Sequence, residues 1–175
     1  MNDHPALTLI ARRLSKEWNS WGVQPPKITE GSEGVTLKSA FSLACGQQAV
    51  LTAEITPGLN RAKTANLVLG THFACRSVPE KALLSLCAFL QEATAQLSPM
   101  ALLVDVENSR LLIRQSQIIA LEYPLMSRPL YDACLLLIEG VKQSANAVIS
   151  QPMAPEQARE LAQRLAVSYH GVPQQ

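Results

Sequence analysis

Two neighbouring segments that alternate with a period of two constrain the fold of this chain more than any other feature. Between Val35 and Leu43, the apolar Val35, Leu37, Phe41 and Leu43 are interleaved with Thr36, Lys38 and Ser42. Between Ala49 and Ile55, Ala49, Leu51, Ala53 and Ile55 share one face, and Val50, Thr52 and Glu54 share the other. Successive side chains of a strand point to opposite sides, so each segment reads as a half-buried strand. Gly46 between them marks a turn, and the two strands are expected to pair antiparallel. The face carrying Leu37 and Leu51 must pack on a helix. The face carrying Thr36, Lys38, Ala40, Val50 and Thr52 has mixed character and need not be covered.

The rest of the chain supplies helices and further strands. Leu7, Ile10, Leu14, Trp18 and Trp21 recur at helical steps, with Asp3 as a cap and Gly22 as an end, and both tryptophans read as packing residues of that helix. Gln24-Pro25-Pro26 to Gly34 breaks regular structure and reads as a loop. A third strand is expected within Ala65–Ala74, and Ser77-Val78-Pro79-Glu80 has the spacing of a capping box that starts a helix running to about Gln96. In that helix Leu83, Leu84, Leu86, Cys87, Phe89, Leu90 and Ala93 cover more of the circumference than one surface helix needs to bury. It is therefore either a central core helix or part of an interface.

Met100–Val106 and Leu111–Ile118 are strand-like runs around the hairpin loop Glu107–Arg110. Ser127-Arg128-Pro129 starts a helix with Leu130, Ala133, Cys134, Leu137, Ile138 and Val141 as its buried stripe. After Gln151-Pro152, a last helix spans about Pro155 to His170, with Leu161 and Leu165 on one face and Gly171 at its end. The expected architecture is α+β: a mainly antiparallel sheet of about five strands in the order α-β-β-β-α-β-β-α-α. At 175 residues the chain fits a single domain. Within it stand an N-terminal helix and loop (1–30), a core (34–150) and an extra C-terminal helix (152–175).

Charge and chemistry narrow the function. A net charge of +1 provides no long-range field for phosphate backbones, which disfavours nucleic acid as a partner. No apolar run reaches the roughly 18 residues of a membrane span, and Asp3 and Arg12-Arg13 stand where a signal peptide needs an apolar segment. A cytoplasmic protein without membrane insertion is expected. Cys45, Cys75, Cys87 and Cys134 lie far apart with no CxxC pair, and read as buried free thiols.

His72 and Cys75 form a lone His-x-x-Cys without the second pair that tetrahedral zinc requires, so no metal site is expected. Neither a G-x-G-x-x-G nor a Walker loop occurs, and there is no G-x-S-x-G elbow. Asp105 and Glu107 read as exposed hairpin charges rather than an acid/base pair. No catalytic residue and no cofactor is expected, although a triad assembled from distant residues stays open as a third reading.

The run from about Gly34 to Ile149 resembles the fold of type III secretion chaperones. The resemblance lies in the order of elements, in the strands Val35–Leu43 and Ala49–Ala53, and in the apolar helix Leu83–Ala93. It continues in the hairpin Ala101–Val106 with Leu111–Arg114, ahead of the helix Leu130–Val141. It covers about two thirds of the chain and is a pattern of elements, because that family has no catalytic motif to match. The chain is similar in the same way to the YbjN-type family of bacterial sensory transduction regulators, the alternative reading, which implies a regulatory or interaction protein. It departs from secretion chaperones in its near-neutral charge and its final helix.

The resemblance implies a bacterial homodimer that holds an extended segment of a client protein without ATP. Leu83, Leu86, Cys87, Phe89, Leu90 and Ala93 are the expected dimer interface. Thr36, Lys38, Ala40, Val50 and Thr52 are the expected client surface.

Overall fold

A computed structural model describes residues 5–21, 23–42, 46, 48–60, 63–121 and 128–170, with the side chains at 128–136 and 170 outside that description. The expected caps Asp3 and Gly171, the helix end at Gly22, and the stripe residues Leu130, Ala133 and Cys134 therefore lie outside the described residues or side chains. The fold is α+β. Helix α1 (Pro5–Ser20) leads into strands β1 (Lys27–Glu30), β2 (Val35–Ser42), β3 (Gln48–Pro57) and β4 (Thr64–Ala74). Then come α2 (Glu80–Gln96), β5 (Met100–Asp105), β6 (Arg110–Ala120), α3 (Arg128–Ser150) and α4 (Pro155–His170).

The antiparallel sheet has six strands in the order β1-β2-β3-β4-β6-β5. The additional strand is β1, which occupies the stretch read from sequence as a loop. Lys27, Ile28, Thr29 and Glu30 pair with Lys38, Leu37, Thr36 and Val35. Four residues directly after two prolines are too few to show a period, and pairing with β2 makes them a strand. The chain forms two compact units, one comprising residues 1–72 and 115–132, the other 73–114 and 133–175.

In the first unit, β2 and β3 pair with Val35 opposite Ile55, Leu37 opposite Ala53, Ser39 opposite Leu51 and Phe41 opposite Ala49. Helix α1 lies on this pair and buries Leu7, Ile10, Ala11, Leu14 and Trp18 there, while Val35, Leu37, Leu51, Ala53 and Ile55 are buried from the sheet side. Two polar bonds hold β1 in place, one at its end and one just before its start. The Thr8 hydroxyl donates to Glu30 Oε1 at 3.0 Å, and the buried Ser39 hydroxyl donates to the Gln24 carbonyl at 2.6 Å.

At the β1–β2 turn Gly31 N–H donates to the Gly34 carbonyl at 2.8 Å. A side chain at Gly34 would collide with the backbone carbonyl of Ile55. Glycine is needed there because strand β3 passes so close.

In the second unit α2 is packed by both β5 and α4. It begins one residue after Pro79, which is its N-cap, and no side chain caps it. This corrects the expected Ser77–Glu80 capping box. For Ser77 to be the cap, Val78 would have to be the first helical residue, and proline disfavours helical geometry in the residue before it.

On α4 the fully buried residues are Ala158, Ala162 and Ala166, and the expected Leu161 and Leu165, at the intervening helical positions, are half-buried on the same side. Alanine at every fourth position lets two helices approach closely, so a weakly apolar stripe becomes the packing face. The Ser85 hydroxyl donates to the Met153 carbonyl, joining α2 to the segment before α4. Gln163 and Gln96 each donate to Glu92 Oε1 at 3.0 Å. These two bonds, with Arg159 contributing less, hold the Glu92 carboxyl below the usual carboxylate range. Their contribution is present above that range and fades as pH falls through the lowered value.

Gly34→Ala is expected to destabilise the protein by about 1–3 kcal/mol, because β3 must move to admit the methyl group. Chemical denaturation measures this, and a midpoint equal to that of the unaltered protein contradicts the close approach.

Candidate functional site

The two faces of β2 and β3 differ in exposure. Opposite the face under α1, the second face carries Thr36 beside Glu54, Lys38 beside Thr52, Ala40 beside Val50, and Ser42 beside Gln48. Lys38 and Ala40 are exposed, Val50 is 39% exposed and Thr36 is half-buried. Strand β1 extends the face with Lys27 opposite Lys38 and Thr29 opposite Thr36. Like charges set opposite each other across a strand pair are unfavourable unless water or a counter-charge screens them. Four of the five residues expected from sequence as a client surface are thus brought together and reachable.

Thr52 is the fifth, and it is buried. Its hydroxyl donates to the Gly70 carbonyl at 3.4 Å and lies 3.5 Å from His72 Nε2, at the outer limit of a hydrogen bond. Thr52 and His72 thereby join β3 to β4 on this face, and Thr52 supports the surface from below. Ile118 of β6, in the same unit, is 68% exposed.

The expected dimer residues on α2 separate into two groups. Leu86, Phe89, Leu90 and Ala93 are buried within the second unit, whereas Leu83 is half-buried and Cys87 exposed. The apolar circumference that one sheet cannot cover is covered by α4 and β5 together. Leu84, which stands on the solvent side with Cys87, is 70% exposed. What α2 presents outward is therefore the Leu83, Leu84 and Cys87 side.

The remaining chemistry-bearing residues have structural partners. Asp105 accepts from the Asn108 backbone N–H at 3.1 Å and from the Asn108 side chain at 2.7 Å, and Ser109 adopts a φ of 50°. This carboxylate closes the β5–β6 hairpin in the way Asx turns do. The Cys75 N–H donates to the Ser109 carbonyl at 3.0 Å.

Burial pushes the Cys75 thiol pKa up, with a backbone hydrogen bond opposing it. Cys75 is half-buried and Cys87 exposed, which corrects the expectation of buried thiols for these two. Cys87 falls on the open side of α2, and alternation of apolar residues all round the helix hid that side in the sequence. Cys45 and the Cys134 side chain lie outside the described residues. Among the described residues no helix is long and apolar enough to cross a membrane.

Compared with known families and curated proteins, the chain matches no family model and no curated sequence.

Cys87 is expected to react with a maleimide at neutral pH well before Cys75, and Cys75 labelling is expected to accelerate only as pH rises above the ordinary thiol range. Peptide mapping of partly labelled protein reads both rates. Equal labelling at neutral pH contradicts the burial of Cys75.

Proposed function

We propose that this protein is a binding protein of the secretion-chaperone kind, a homodimer that holds an extended segment of a client protein without ATP and without catalysing a reaction. The observation that carries the reading is the asymmetry of the β2–β3 pair. One face is sealed by α1, while the other keeps Lys38, Ala40 and Val50 in solvent. A valine exposed beside alanine, threonine and lysine on a flat strand pair suits an extended segment of alternating character, whose apolar side chains lie on Val50 and Ala40. Dimerisation uses the outward side of α2, where Leu83, Leu84 and Cys87 stand together.

Val50→Asp is expected to leave the thermal midpoint nearly unchanged, within the half kilocalorie or so typical of surface positions, and to weaken client capture. Affinity capture from the native cell, compared between the two proteins at equal folded concentration, checks this. Unaltered capture of the same partner by a folded variant places the client elsewhere. For the dimer, Leu84→Glu is expected to give a folded monomer in sedimentation at micromolar concentration. A monomeric parent protein, or a variant that remains dimeric, removes this part of the reading.

A further inference from the structure

An open sheet has two edges, and each is a template on which another chain can add a strand. One edge is β1, four residues long, entered through Pro25-Pro26 and beginning with Lys27. Short length, proline and lysine are common ways of blunting an edge. The other edge is β5, last in the sheet order. Its Met100–Val104 stretch holds neither charge nor proline, Leu103 is 43% exposed, and Val106 just beyond is 41% exposed. By composition this strand invites addition.

Its outward backbone is nevertheless occupied. Alternate residues of an antiparallel strand turn their N–H and C=O away from the neighbouring strand. The Leu102 N–H donates to Thr94 Oγ1 at 2.9 Å, and the Thr94 hydroxyl donates to the Leu102 carbonyl at a longer 3.4 Å. Thr94 stands in the last turn of α2, which packs against β5. One hydroxyl thus accepts and donates as the peptide groups of a further strand would. Two residues earlier, the Met100 N–H is taken by the Leu97 carbonyl at 3.1 Å.

We propose that Thr94 is a plug on the β5 edge, and that without its side chain this edge pairs with the same edge of a second copy. The strand itself determines the occupant. A two-fold axis at Leu102 sets two uncharged strands antiparallel and places each Asp105 opposite the other copy's Pro99, so the acidic groups stay at opposite ends. With β5 plugged and β1 short and blunted by proline and lysine, a client meets the sheet on its face.

Two measurements test this. In the unaltered protein, hydrogen exchange is expected to show the Leu102 amide protected and the Val104 amide, which faces the same way, exchanging fast. Comparable fast exchange at both sites overturns the plug. Thr94→Ala, which removes the hydroxyl and leaves no γ-atom in its place, is expected to self-associate at least tenfold more strongly than the parent in sedimentation, and Thr94→Ser to behave as the parent. Adding Leu103→Lys to Thr94→Ala keeps the loss of the plug and sets a charge on the edge, so it is expected to abolish the added association. A folded Thr94→Ala protein that associates no more than the parent overturns the proposal, as does association that Leu103→Lys leaves unchanged.

Discussion

The register between β2 and β3 is the constraint on which the first unit depends. Because side chains alternate, a slip of β2 by one residue against β3 would carry Lys38 under α1 and bring Val35 and Leu37 into water. The burial of Leu37, Leu51 and Ile55 beneath Leu14 and Trp18 is worth about 1.5–3 kcal/mol per large side chain, so the slipped arrangement loses several such terms at once. Gly34 allows β3 to pass closely at one end of the ladder, and Ser39 holds the entry to β1 at the other. Once this register is set, the position of the exposed Val50 follows from it. The surface proposed for client binding is the by-product of a core requirement on the opposite side of the same two strands.

The second unit solves a different problem. Helix α2 is apolar over most of its circumference, and the chain surrounds it with β5 on one side and α4 on another. The contacts of α4 rely on small groups. The alanines at 158, 162 and 166 let α4 approach, and at Gly140 of α3 a methyl group would fall 2.6 Å from Leu165 Cδ1 of α4. Polar links at the rim then add direction. Arg76 bonds Asn146 and Ser150 of α3, and Glu92 gathers two glutamines. A strip of α2 bearing Leu84 and Cys87 is what remains uncovered.

Much of this was legible in the sequence where the physical signal is periodic and strong. The alternation of Val35–Phe41 and Ala49–Ile55 correctly separates the covered face from the open one, and α1, α2, the β5–β6 hairpin and the two final helices stand where their patterns predict. The signal fails where structure depends on a partner distant in sequence. Lys27–Glu30 is a strand because β2 offers it a ladder. Thr52 is buried because His72 and Gly70 stand beside it, although strand parity alone places it with the exposed Val50. On α4 the apolar spacing finds Leu161 and Leu165 but passes over Ala158, Ala162 and Ala166, which are the more deeply buried residues of the same side.

The two units are interleaved along the chain, since each is completed only after the other has begun. This bears on synthesis. When residue 72 has been made, β4 still waits for β6, its neighbour in the sheet order, and the first unit is complete only at residue 132. At ribosomal rates of 5–20 residues per second that interval lasts about 3–12 s. Until β6 is complete at residue 120 the nascent β4 is an unpaired edge, and the intervening α2 and β5 are translated before the strand that closes it. No single cut of a chain built this way leaves both units whole, and its first hairpins stand as a partial sheet until β6 is made.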